Sequence, residues 1–174
     1  ADEAVKESTS PAVLMSAGLM HFCSKNFNRA RSLFRDSLSM DDTNGTVRIM
    51  LYLIDWIQYG EQNQTHSQKL KSLDWRSNWE LYARLVRVLE GEVGSGIALK
   101  GGYTDDERGW LAYVVGLMHF KEKRLDKAQE LMRKAVLLAD SEGWLFYMSL
   151  SQLEQIENLR LKRYRRNKDK RAYR

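Results

Sequence analysis

Apolar residues along this chain recur at steps of three and four rather than alternating, and that rhythm predicts helices. Val47, Met50, Leu51 and Ile54 mark one helix from about Thr46 to Tyr59. Leu81, Tyr82, Leu85, Val86 and Leu89 mark another from about Trp79 to Glu90. Each is followed by a shorter helical stretch, Ser67 to Leu73 and Gly96 to Lys100. A last helix begins near Gly143 and runs through Leu150, Leu153, Ile156 and Leu161, its apolar character fading where basic residues take over. Start signals sit where the pattern needs them. Ser10-Pro11 offers a cap followed by proline at the first helical position. Ser77-x-x-Glu80 and Thr104-x-x-Glu107 have capping-box spacing, in which side chains satisfy the N–H groups of a helix start. With one proline in 174 residues and no alternating Val, Ile and Thr, nothing suggests a sheet.

The helical pattern repeats. Gly18-Leu19-Met20-His21-Phe22 recurs letter for letter as Gly116-Leu117-Met118-His119-Phe120. Extended without gaps, Gly18 to Asp42 aligns on Gly116 to Asp140 with ten of 25 positions identical. The offset of 98 is close to three periods of about 34 residues. Helix-pair starts near 11, 45, 78, 109 and 143 step by roughly 31 to 35, as a stacked array requires.

Both copies resemble the tetratricopeptide repeat pattern W-x2-L-G-x2-Y, A-x3-F, P. The first reads Leu14-x2-Ala17-Gly18-x2-His21, then Ala30-x3-Phe34, with Asp42 in the proline place. The second reads Ala112-x2-Val115-Gly116-x2-His119, then Ala128-x3-Met132, with Asp140 in that place. Small residues at 18, 30, 116 and 128 let two helices of a hairpin approach closely. Phe34 and Met132 are expected to plug the groove between neighbouring hairpins. The leading Trp, the Tyr and the Pro of the pattern are all replaced. The resemblance implies an all-α fold, a right-handed α-solenoid of about five helical hairpins over residues 10–160, the middle ones degenerate. A C-terminal capping helix and a basic tail over 161–174 complete the expected organisation.

Charge alters this picture at one end only. From Arg160 to Arg174 there are nine Lys or Arg and one acid, Asp169, whereas the whole chain carries +5, so the remainder is mildly acidic. Arg160, Lys162, Arg163, Arg165, Arg166, Lys168, Lys170 and Arg171, with Tyr164 and Tyr173 interleaved, form a tail able to contact nucleic acid or an anionic surface. The plainer reading of such a run is a solvated chain end. The single cysteine, Cys23, excludes an internal disulfide and a Cys-based zinc site. No apolar run approaches the roughly 18 residues of a membrane span. A start at Ala1 suggests removal of an upstream piece, which leaves cytoplasm, slightly favoured, and periplasm both open.

The remaining polar residues carry no recognisable chemistry. His21 and His119 hold the same repeat position, where packing between helices accounts for both. The glycines between Gly91 and Gly102 lack the spacing of a phosphate-binding loop and read as loose turns around a degenerate helix, or as a hinge. Asp41, Asp42, Asp105, Asp106 and Glu107 fall at helix ends, where carboxylates cap or face the helix start. No catalytic set, metal site or cofactor is expected.

The resemblance instead implies a concave groove lined by first helices, here Met15, Leu19, Phe22 and Cys23, then Trp110, Tyr113, Leu117 and Phe120. The family variant that grips a peptide C-terminal carboxylate uses Lys, Asn and Arg at such places, and this chain has apolar residues there. An apolar groove suits a hydrophobic or amphipathic segment of another protein, unless the terminal helix covers part of it. The expectation is a scaffold or adaptor, with oligomerisation open. A chaperone for a hydrophobic client and a nucleic-acid-associated protein using its tail are the alternatives.

Overall fold

The computed structural model describes residues 10–59, 64–72, 79–100 and 104–172, and among these every regular element is a helix. Two compact units divide the chain, Ala1–Glu90 and Gly91–Arg174. The N-terminal unit holds α1 (Pro11–Cys23), α2 (Phe27–Met40), α3 (Gly45–Tyr59), α4 (Gln64–Ser72) and α5 (Trp79–Leu89). The C-terminal unit holds α6 (Ser95–Ala98), α7 (Asp105–Lys121), α8 (Leu125–Leu138) and α9 (Trp144–Ala172). The long predicted helices thus appear within a residue or two of their expected limits. No second helix follows α9 among the described residues, so the fifth expected hairpin is one uninterrupted helix, and nothing breaks it at residue 161.

In the N-terminal unit α1 and α2 form a hairpin whose closeness depends on one missing side chain. A Cβ on Gly18 would lie 2.6 Å from the Phe34 ring. Phe34 and Ala30 on α2 are fully buried. Ser10 caps α1, its hydroxyl accepting from the Val13 N–H, and Pro11 occupies the first turn. The chain leaves α1 through a turn that satisfies its last carbonyls: Lys25 N–H donates to Phe22 and Asn26 N–H to His21, with Lys25 in the left-handed region at φ 62°. The Asn26 side chain then caps α2. Phe22 and Phe27 meet edge-on across the turn at 5.4 Å.

The C-terminal unit builds the same hairpin 98 residues later, with the same backbone turn bonds. Lys123 N–H donates to Phe120, Arg124 N–H to His119, and Lys123 takes φ 63°. A Cβ on Gly116 would lie 2.9 Å from the Met132 methyl group. Phe34 and Met132 therefore fill the crossing inside their own hairpins, a correction to the expectation that they plug grooves between neighbours. The glycine beneath them leaves a hole of their size. Thr104 caps α7 through the expected capping box, its hydroxyl accepting from Glu107 N–H while the Glu107 carboxylate accepts from Thr104 N–H. Ser77 of the other expected box lies outside the described residues. The glycine-rich stretch holds the short α6, with Gly91 at φ +79°; Gly101 and Gly102 lie outside the described residues.

Polar groups fix how the remaining N-terminal helices attach. Arg31 on α2 reaches α3, donating to Asp55 at 2.7 Å and Gln58 at 2.8 Å while lying over the Tyr59 ring. Glu90, just past α5, gathers Lys71 and Ser67 from α4 and Tyr52 from α3. Burial alone raises the Glu90 carboxyl, but the Lys71 ammonium and the two hydroxyls more than reverse this and hold it below its ordinary value.

Three outcomes follow. Gly18→Ala forces a stiff buried ring aside and should lower stability by about 1–2 kcal/mol in urea unfolding. Gly116→Ala meets only the end of a flexible methionine and gains about 1 kcal/mol of helix propensity, so it should change stability by less than about 1 kcal/mol. Glu90→Gln should cost about 1–2 kcal/mol at neutral pH. Because the folded carboxyl is depressed, its contribution is complete above about pH 4.3 and is lost as pH falls through the folded value, so unfolding midpoints of the variant should depend less on pH across the acid range.

Candidate functional site

The first-helix positions expected to line an open groove are mostly interior. Leu19, Phe22, Trp110, Tyr113 and Leu117 are buried, none more than 8% exposed, while Met15, Cys23 and Phe120 are half-buried. The correction has a simple origin. From Gly109 to Leu117 every residue of α7 is buried, and a helix that is apolar all round is covered all round. Both α8 and α9 pack on it, and Trp110 meets Tyr113 edge-on at 6.2 Å. Phe120, one turn beyond Leu117, lines a surface concavity.

That concavity lies within the C-terminal unit, where α9 passes the turn between α7 and α8. Leu145, Met148 and Ile156 bury the first half of α9, and Leu145 sits 3.0 Å from where a Gly109 Cβ would be. Polar contacts then set the height of the second half. Arg160 pairs with Asp126 at 3.0 Å and donates to the Gln129 side-chain oxygen. Gln129 is itself 8% exposed and donates to Glu157. Beyond Arg160 the described side chains of α9 are all exposed. A cleft therefore opens between the α7–α8 turn and the emerging helix.

It has two connected parts. One, of about 520 Å³, is bounded by Lys123, Arg124, Leu125, Asp126 and Lys127 on the turn side and by Arg160 and Arg163 on α9. The other, of about 420 Å³, has an apolar floor of Phe120, Leu125 and Leu159 beneath Lys121, Lys123, Lys162, Arg163 and Arg166. Eight Lys or Arg and a single carboxylate, Asp126, line the two. Arg124 pairs with Glu122, Lys127 with Glu130 at 2.9 Å and Arg160 with Asp126, and Lys121 is also engaged. Among the described residues no carboxylate lies within ion-pair reach of Lys123, Lys162, Arg163 or Arg166.

The backbone adds to this field. Arg124 begins α8 without a side-chain acceptor for the first-turn N–H groups, where its counterpart Asn26 caps α2. A cation thus stands at the positive end of a helix. His119 responds to the surroundings: burial first, then Arg124 and Lys127, lower its pKa despite Glu130 nearby. Its Nδ1 lies 3.6 Å from the Glu122 carboxylate.

Of the basic tail, Arg160, Lys162, Arg163 and Arg166 reach the cleft, and Arg165 is exposed outside its lining. The side chains of Lys168, Lys170 and Arg171 lie outside the described residues. The turn cations Lys121, Lys123, Arg124 and Lys127, and Leu125 and Leu159 of the floor, were not among the expected site residues. The sequence held only a partial signal: the aligned stretch of the first copy, Cys23-Ser24-Lys25-Asn26-Phe27-Asn28-Arg29, carries two cations where residues 121–127 carry four, but Glu122 and Asp126 leave the net charge the same.

Among the described residues no group of three or more His, Cys, Asp or Glu is placed to hold a metal ion, and no helix is long and apolar enough to cross a membrane. No protein-family model, curated protein or solved structure matches the chain.

Arg160 is the hinge pin of the cleft wall. Arg160→Ala should raise amide hydrogen exchange over Leu159–Arg166 several-fold, with α7 and α8 unchanged, since local opening there is governed by a few contacts.

Proposed function

We propose that this chain is an interaction module built from tetratricopeptide-like hairpins, a scaffold or adaptor that takes a hydrophobic or amphipathic segment of a partner protein and performs no catalysis itself. The observation that carries this is the hairpin repeated at 98 residues with the same glycine crossing and the same turn bonds. A unit that reproduces backbone detail while changing its surface is a framework on which recognition can vary. The α-solenoid expected from the sequence belongs to the same proposal.

The recognition surface is the cleft beside α9, not the buried first-helix positions. Its floor combines Phe120, half-buried, with Leu159, 37% exposed, and Leu125. Exposed apolar surface recessed below a polar rim is where a partner's anchoring side chain gains most from leaving water.

Affinity capture from the source cells, read by mass spectrometry, tests this with wild type and Leu159→Asp side by side. The exposed position makes the substitution harmless to folding, checked by circular dichroism. The proposal expects one or more proteins to be depleted at least about tenfold with the variant, a loss of roughly 1.4 kcal/mol. Equal recovery by both forms would remove the cleft from the reading.

A further inference from the structure

We propose that the segment held in this cleft is acidic and amphipathic: its carboxylates meet the cationic rim and its apolar side chains meet the floor. This rests on the interaction reading above and goes beyond it by assigning the chemistry of the partner.

The argument begins with charge left over. Lys123, Lys162, Arg163 and Arg166 face the cleft without a carboxylate in reach among the described residues. Like charges gathered this closely repel one another, and a ligand that brings negative charge relieves that repulsion as it binds. The uncapped start of α8 adds N–H groups of the same preference. Asp126 cannot neutralise the rim, because Arg160 already engages it.

The floor decides which anion. Leu125 and Leu159 are aliphatic, and Phe120 is the one ring lining the cleft. Nucleic-acid bases bind on successive flat aromatic platforms, which these residues do not supply. A flat anionic bilayer meets projecting cations but does not fill a recess of about 420 Å³. Leucine-like or phenylalanine-like side chains do fill it, and on a helix they sit on one face with acids on the flanks. The cations come from a hairpin turn and the terminal helix, not from the first-helix positions at which the family's carboxylate-gripping variant places its Lys, Asn and Arg.

Fluorescence anisotropy on the full chain tests this with three labelled probes: a helical peptide of Glu and Leu, its counterpart with Lys for each Glu, and a mixed-sequence single-stranded oligonucleotide. The Glu-Leu peptide should bind at least about tenfold tighter than the Lys-Leu peptide and the oligonucleotide, and should weaken as salt rises. Arg163→Glu should reduce that binding at least about tenfold. Arg133→Glu, on an exposed part of α8 outside the cleft, should leave it unchanged. Equal binding of the two peptides would overturn the acidic assignment and leave the interaction module standing. Preference for the oligonucleotide, or an Arg163→Glu variant that binds like wild type, would also overturn it, the first by replacing the partner class and the second by moving the site. No binding of the Glu-Leu peptide by wild type overturns it too, whereas the module itself stands or falls on the capture experiment.

Discussion

Where a large side chain fills the crossing of two helices, the facing position must carry little or no side chain, and in both units it is a glycine. Gly18 accepts the Phe34 ring and Gly116 the Met132 thioether. Once the crossing is fixed, the turn has little choice. It must reverse the chain in three residues, end the first helix and start the second, and it does so twice with the same hydrogen bonds and a lysine in the left-handed region. Lysine is not the residue that conformation prefers. Its persistence at both turns means the crossing dictates the backbone and the side chain tolerates it.

The cleft follows from the same constraint. Gly109 to Leu117 of α7 is buried throughout, and exposed cations of the unit gather at the turn where α7 ends. Helix α9 lies against the hairpin only as far as its apolar residues reach. Past Ile156 the interface becomes polar, Gln129 and Asp126 holding Arg160, and then ends. A row of cations emerges opposite another row on the turn. Burying either against the protein would cost several kcal/mol per charge, so the two sides stay apart with the apolar floor between them.

Much of this was legible in the sequence. Helix limits, the Ser10 and Thr104 caps and the 98-residue correspondence could be read from periodicity, cap residues and identity. Site residues were harder, for physical reasons. Trp110, Tyr113 and Leu117 sit on a helix so uniformly apolar that no face can be singled out as exposed. Phe34 and Met132 have a size that suits either a crossing or a groove, and only distance to the glycine decides. Arg160 and Asp126 are 34 positions apart, a separation at which sequence gives no indication of contact. The basic end of the chain was visible as a charge excess, but charge alone does not distinguish a helix from a solvated chain end.

That continuation changes what the basic end is. Over 29 residues α9 spans about 44 Å at the rise of an α-helix. Lys162, Arg163 and Arg166 stand at fixed positions along it, so their charges are set on a rod, not on a loose thread. A thread samples any arrangement of opposite charge and responds to the total. A rod acts as a ruler: under the proposed interaction it would favour a partner whose acids fall in step with it over one of equal charge in scrambled order.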